Sequence, residues 1–195
     1  MINALSLSDL SCLAVDRQEV LRYLGVKQAD EGTLSLIIQC EKEAFEASCP
    51  KAVYIEADIT VDENTVDFGF MRVNSKNLAT NLSGCYKAYL FCATLGIGMD
   101  RRFERQSRIS PTKAMVLSAV GSSLVESFCD YVNEKIVGDM ISRPRFSCGY
   151  GDFCLEHQKD ILKALEADKR LGVCLTESCM MVPVKTVTAV IGIRR

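Results

Sequence analysis

The residues best equipped for chemistry lie in one short stretch, Ser142 to Glu156, which reads S-R-P-R-F-S-C-G-Y-G-D-F-C-L-E. Arg145 carries a planar fork that pairs with a carboxylate through two hydrogen bonds. Gly149 and Gly151 let a backbone come close to a ligand. Tyr150 offers a ring face and a hydroxyl. Amides at the start of the following helix can receive an anionic group. Together these parts suit an amino-acid ligand that carries a flat ring. The same stretch also reads as a surface loop in which Arg145 is paired to a nearby Asp or Glu.

Two further segments have chemical potential. In Leu175-Thr176-Glu177-Ser178, followed by Met180, Met181 and Pro183, Glu177 and Ser178 would face the same cleft as the arginine loop. The alternative is a plain connection whose methionines fill the core. Glu126 has Ser122 and Asp130 one helical turn away, and Ser118 one turn further, so these residues line either a cleft or a solvated face. His157 is the only histidine, which excludes a His-rich metal site or a two-histidine acid/base pair within one chain. Cys154 lies three residues before it, a spacing that makes neighbours on any helix and so is weak evidence for a thiol nucleophile. The ten cysteines include no C-x-x-C pair. In a chain this long and apolar most of them read as reduced, buried small hydrophobes, with a thiol or metal protein as the competing reading.

Regular elements must hold these residues in place. A helix is expected over 16–25, opened by Asp16 and ended by Gly25, and a second over 30–48, with Leu34, Ile37, Ile38 and Phe45 apolar and Pro50 as its stop. From Ala52 to Thr60 the period changes to two, and Val66, Phe68 and Phe70 alternate next, so the two runs read as a β-hairpin. Ser75 caps a short helix through Leu82. Tyr86 to Leu95 is apolar on both faces, as a central strand is, and Gly96-x-Gly98 is a strand-to-helix turn. Ser110-Pro111 opens a helix of about 27 residues ended by Gly138, with Leu117, Val120, Leu124 and Phe128 in one stripe. A further helix is expected from Phe153 to Leu171, capped by Asp152 and stopped by Gly172. Val187, Ala189, Ile191 and Ile193 form a last, buried strand. The mixture lacks a strict β-α-β alternation and predicts an α+β fold with a twisted antiparallel or mixed sheet flanked by helices. Residues 1–195 read as a single domain, with 1–50 mainly helical and 51–195 the α+β core.

Composition limits the function classes. The 195 residues carry a net charge of −2, which argues against a phosphate-tracking nucleic-acid binder. No apolar run reaches the roughly 20 residues of a membrane span. Met1 to Leu10 does not resemble a secretory signal. A cytoplasmic location, away from the membrane, is the expectation.

Arg145-Phe146-Ser147-Cys148-Gly149-Tyr150 fits the R-x-x-x-G-Y signature of the activation (reactivation) domain of vitamin B12-dependent methionine synthase, and the chain resembles that family. Leu175-Thr176-Glu177-Ser178 with Met181 and Pro183 matches its L-T-E-S-x-x-M-x-P stretch. The helix between has the family's E-H near its start and E-x-x-K-R-x-G from Glu166 to Gly172. The likeness covers about fifty residues and is weak before residue 110. It implies a twisted antiparallel sheet with flanking helices and a shallow cleft that binds S-adenosylmethionine. In that family the ligand's methyl group goes to cobalamin after an electron, often from flavodoxin, reduces inactive cob(II)alamin. By position, Arg145 would hold the methionine carboxylate, Ser147, Gly149 and Tyr150 would contact the ligand, and Glu126 would partner its ammonium group. Glu177 and Ser178 would stand behind them. No cobalamin motif D-x-H-x-x-G is present, so the cobalamin is expected on a separate methionine synthase or corrinoid protein, with flavodoxin or another low-potential reductant as the electron source. Gly151 departs from the family's proline after Gly-Tyr. That departure leaves open a non-catalytic interaction module that has lost S-adenosylmethionine binding.

Overall fold

The computed structural model describes residues 1–195. In chain order it contains β1 (Asn3–Ser6), α1 (Arg17–Leu24), α2 (Glu31–Ala47), β2 (Lys51–Asp58), β3 (Thr60–Val61), β4 (Thr65–Asp67), β5 (Arg72–Asn74), α3 (Lys76–Asn81), β6 (Cys85–Thr94), α4 (Ile97–Ile109) and α5 (Pro111–Val137). After a 3-10 turn (Leu155–His157) follow α6 (Gln158–Ala164), α7 (Ala167–Leu171), β7 (Cys174–Leu175), β8 (Met181–Val182) and β9 (Thr186–Arg194). The main sheet is antiparallel throughout, in the order β1-β2-β6-β9.

The sequence of β6 explains the layering. Phe91 and Ala93 point to one face, Leu90 and Cys92 to the other, and all four are fully buried. A strand apolar on both sides needs a cover on each face. On the first, Phe91, Ala93, Ala189 and Ile191 meet Leu117, Val120, Leu124 and Phe128 of α5, with α1 and α2 packed outside. On the second, Leu90, Cys92 and Val190 meet Leu78 of α3, Phe153, Ile161 and the three-stranded β3-β4-β5 sheet. This is the expected α+β architecture of an antiparallel sheet flanked by helices.

α5 is the spine, and its ends follow the sequence. Ser110 accepts a hydrogen bond from the Lys113 amide, Pro111 sits at the first helical position, and Gly138 ends the helix. Its face also anchors the N-terminal segment. Ser123 Oγ accepts from the Asp16 amide at 2.8 Å and Ser127 Oγ from the Ala14 amide at 3.1 Å. Asp16 in turn caps α1, and Gly25 ends it in the left-handed conformation.

Several expectations fail for identifiable reasons. β2 pairs with β1 and β6 rather than with the run after it, and only its short continuation β3 forms the hairpin with β4. The stripe read for α2 is misplaced: Ile37, Cys40 and Ala44 are its buried side, while Leu34 and Ile38 face out. α4 was not anticipated beyond the turn that opens it, because six charged side chains hide its period. The helix read over 153–171 is broken at Leu165–Glu166, where Glu166 has φ 48°. The break turns Leu165 and Ala167, both fully buried, into one core. On an unbroken helix, side chains two apart face opposite ways. Asp152 does not cap that helix. Its carboxylate crosses to α3, accepting from the Ser75 hydroxyl and from the Lys76 and Asn77 amides at 2.8 and 3.1 Å.

Candidate functional site

Arg145 is aimed by strand geometry. The segment 141–146 runs along the open edge of β9. Phe146 exchanges both backbone hydrogen bonds with Val190 at 2.9 Å, and Ser142 bridges to Ile193. Consecutive side chains on such a segment point to opposite faces. Phe146 goes to the α6 side, stacked against Phe153 at 6.4 Å between ring centres, and Arg145 goes to the α5 side. There Nη2 donates to Glu126 Oε2 at 3.1 Å and meets Asp130 Oδ1 at 2.9 Å. Nη1 is buried with no hydrogen-bond partner. The arginine is therefore paired to acids, as the loop reading had it, yet half of its fork is unused.

Beside that fork lies a hollow of about 250 Å³ lined by Glu126, Pro144, Arg145, Ser147, Tyr150 and Val187. Four of the five residues nominated as ligand contacts thus surround one space. Burial pushes the Glu126 carboxyl above its ordinary value, and the Arg145 charge works against that shift. Tyr150 is exposed at the mouth, its ring edge-on to Phe146 at 5.9 Å. The loop is closed by its own amides: Tyr150 N donates to Ser147 O at 3.1 Å, Phe153 N to Tyr150 O at 3.0 Å and Gly149 N to Phe153 O at 2.6 Å.

The glycines serve the turn rather than the hollow. Gly149 (φ 91°) and Gly151 (φ 55°) are both left-handed, and neither lines the space. A Cβ on Gly149 would meet the Leu155 side chain at 3.1 Å, and one on Gly151 would overlap the Asn77 amide. Gly151 is thereby explained: proline is confined to negative φ and could not stand there. The helix-start amides do not line the hollow either, and the 3-10 turn at Leu155 lacks a side-chain cap.

Glu177 and Ser178 sit at the exposed tip of the β7–β8 hairpin and do not line the Arg145 hollow. The Thr176 and Ser178 hydroxyls are 3.0 Å apart, a bond internal to the tip. Sequence reasoning missed Pro144, which was in view but carried no donor, and Val187, which entered only as a strand residue. Of the cysteines, Cys40, Cys92, Cys129 and Cys148 are buried, Cys85 and Cys179 are half-buried and the other four are exposed, so fewer are core residues than composition suggested. Burial lifts the Cys148 thiol, inside the signature loop, to about 12, which makes it inert. Cys154 Sγ lies 3.8 Å from the Asp152 carbonyl, and His157 Nδ1 lies 3.7 Å from Asp160. No group of three or more His, Cys, Asp or Glu side chains is arranged to hold a metal ion, and no helix is long and apolar enough to cross a membrane.

An antiparallel sheet walled by helices on both faces is a fold this chain shares with a solved reactivation domain. One solved structure that shows this is the crystal structure of the MetH reactivation domain bound to AdoHcy, with a TM-score of 0.74 over 98% of this chain and 78% of that one. Sequence identity between them is 13%. No protein-family model and no curated protein matches the sequence. The likeness thus carries the fold, and the roles of single residues rest on their own chemistry.

Proposed function

We propose that this protein is an S-adenosylmethionine-binding reactivation subunit serving a separate cobalamin-dependent methionine synthase or corrinoid protein. The observation that carries the reading is the Arg145 hollow, which the arginine lines together with the half-buried Glu126 carboxylate, while the second guanidinium nitrogen, Nη1, has no protein partner. An α-amino acid needs that pair of charges, its carboxylate meeting Arg145 and its ammonium Glu126. Ser147 and Tyr150 would bound the ligand, and Gly149 would shape the turn that presents them. Glu177 and Ser178 stay candidates for contacts outside the hollow. About 250 Å³ falls just below the range of ordinary ligand pockets, roughly 300–1,000 Å³, so the space suits the amino-acid end of the ligand and leaves the sulfonium methyl uncovered.

The reaction needs alignment more than acid–base help. One electron from flavodoxin or another low-potential reductant would first reduce the partner's cob(II)alamin. The reduced cobalamin of the partner would accept the methyl group from the sulfonium, leaving S-adenosylhomocysteine. This chemistry belongs to the partner's cobalamin, and the present chain positions the donor. The reading takes residues 1–195 as one such domain, working in the reducing cytoplasm.

A second reading has a specific observation in its favour. Arg145 already meets two carboxylates, as in a module that keeps the fold for docking and has lost the ligand. Calorimetry separates the two. The first predicts binding of S-adenosylmethionine that weakens about ten- to hundredfold in Arg145→Ala, equal to about 1.5–3 kcal/mol for a charge-assisted contact. Affinity unchanged in that variant removes Arg145 from the site, and no binding by the wild type leaves the docking module. The functional assay mixes the protein, S-adenosylmethionine, a low-potential reductant and a cob(II)alamin-loaded partner, and follows the cobalamin spectrum.

A further inference from the structure

A second cavity, of about 380 Å³, opens between α4, α5 and the segment Val182–Lys185. Its walls are mainly apolar: Ile97, Met99, Phe103, Leu117, Val182 and Val184. Ile97, Phe103 and Val184 are each more than 40% exposed, so the cavity has an apolar mouth. One cation stands at its wall. Lys185 Nζ donates to Ser122 Oγ at 2.8 Å and to Ser118 Oγ at 3.2 Å, and no acid is among its hydrogen-bond partners. Two acids also line the cavity, Asp100 and Glu104, and neither bonds to the lysine; Asp100 accepts from the Val184 amide at 2.9 and 3.2 Å through its two oxygens. Burial lowers the proton affinity of Lys185, and the Asp100 charge only partly restores it.

The lysine is built in. Its stem lies over Gly121, in the middle of α5, where a Cβ would meet Lys185 Cε at 3.1 Å and press on the Met99 methyl. Glycine inside a helix is disfavoured by about 1 kcal/mol relative to alanine. Here it makes room for a cation to cross the helix and reach two serines. An ammonium held by two hydroxyls, with one N–H to spare beside an apolar cavity, has no carboxylate among its hydrogen-bond partners.

We propose that this cavity binds a small carboxylic acid with an apolar body, its carboxylate on Lys185 and its hydrocarbon part against Phe103, Val182 and Val184. The site is distinct from the Arg145 hollow and does not depend on the function proposed for it. Of their lining residues, Ser118 and Glu126 stand on the same helix, two turns apart.

The test uses the full chain labelled with 13C at its methionine methyls, because the Met99 methyl sits at Gly121 beneath the lysine. Hexanoate should move the Met99 signal saturably. Hexanamide, equal in size and uncharged, should bind about tenfold more weakly or worse, the usual margin of a charge-assisted hydrogen bond. In Lys185→Met the preference for the acid should vanish, whereas Arg145→Ala should bind hexanoate like the wild type. Equal binding of acid and amide, no response from Met99, or an unchanged preference in Lys185→Met would overturn the proposal. So would a Met99 response to S-adenosylmethionine alone, which would join the cavity to the other site. The comparison of acid with amide needs no variant and stands even if Lys185→Met misfolds.

Discussion

Replacing Glu126 with glutamine separates a ligand contact from a structural one. Burial raises the Glu126 carboxyl above its ordinary value despite the Arg145 charge beside it. A raised folded-state value means that the charged form is disfavoured on folding. The stability this group contributes is fully present below the ordinary carboxylate range and is lost as pH rises through the raised value. At neutral pH glutamine therefore removes an unfavourable charge. It also ends a partly exposed pair with Arg145, worth about 0–1 kcal/mol, and Asp130 still holds the guanidinium. The net change in stability should stay within about 1 kcal/mol, which for a chain of this size is about 2–4 °C in Tm. Binding should change far more, because the ammonium of S-adenosylmethionine loses its anionic partner: about 1.5–3 kcal/mol, or ten- to hundredfold in Kd. In the wild type, affinity should also fall as pH drops through the raised Glu126 value, and in Glu126→Gln that fall should disappear. Calorimetric titrations across the acid range, with melting curves alongside, read both. Equal affinity for the two proteins, or an acid-side fall that persists in the variant, would refute the assignment of Glu126 to the ammonium.

Three further outcomes follow from the same geometry. Gly151→Ala should cost about 1–3 kcal/mol for a non-glycine residue at positive φ, seen as a lower Tm, and adding Asn77→Ala should recover only the steric part. The Asp152 carboxyl is held below its ordinary value, first by the Ser75 hydroxyl and then by the Asn77 and Lys76 amides, so its contribution to stability is present above the ordinary carboxylate range and is lost as pH falls through the depressed value. Asp152→Asn should flatten that part of the acid denaturation curve, as followed by circular dichroism. Native protein treated with an aromatic disulfide reagent should release four thiols fast, from Cys12, Cys49, Cys154 and Cys174. Cys40, Cys92, Cys129 and Cys148 should stay silent until the chain is unfolded, because burial holds Cys40 at about 11, Cys92 and Cys148 at about 12 and Cys129 higher still.

What was legible in the sequence was whatever short-range chemistry decides. Asp16, Ser75 and Ser110 announced their helices because a cap acts on amides two or three residues away. The doubly apolar run of β6 announced a central strand because burial on both faces leaves no polar positions. Long-range choices were hidden. Nothing local says that β2 pairs with residues 3–6 and 85–94 rather than with its own hairpin, or that Asp152 serves a helix more than seventy residues earlier. The break at Glu166 was hidden too, since an E-x-x-K-R run is good helix on propensity and only the shared burial of Leu165 and Ala167 interrupts it. In the site, the residues nominated from the signature, Arg145, Ser147 and Tyr150, line one hollow, while Gly149 and Gly151 do not, because a glycine pattern shows that backbone freedom is needed without showing where the Cα faces.

The two acids on Arg145 bear on how the proposed site would work. A guanidinium left bare beside the hollow would have to be desolvated by its ligand, at the ligand's expense. Here Glu126 and Asp130 already hold Nη2, while Nη1 stays buried and unpaired. A ligand carboxylate that reached the guanidinium would find Nη1 free of protein acceptors, and Glu126, which also lines the hollow, would be shared with the ligand's ammonium. Asp130, about three-quarters exposed, does not line the hollow and would keep Arg145 in place whether or not ligand is bound. The arrangement thus favours a fixed clamp over one that closes on its ligand. A fixed, shallow clamp that holds only the amino-acid end suits a methyl group meant to be reached from outside by a second protein.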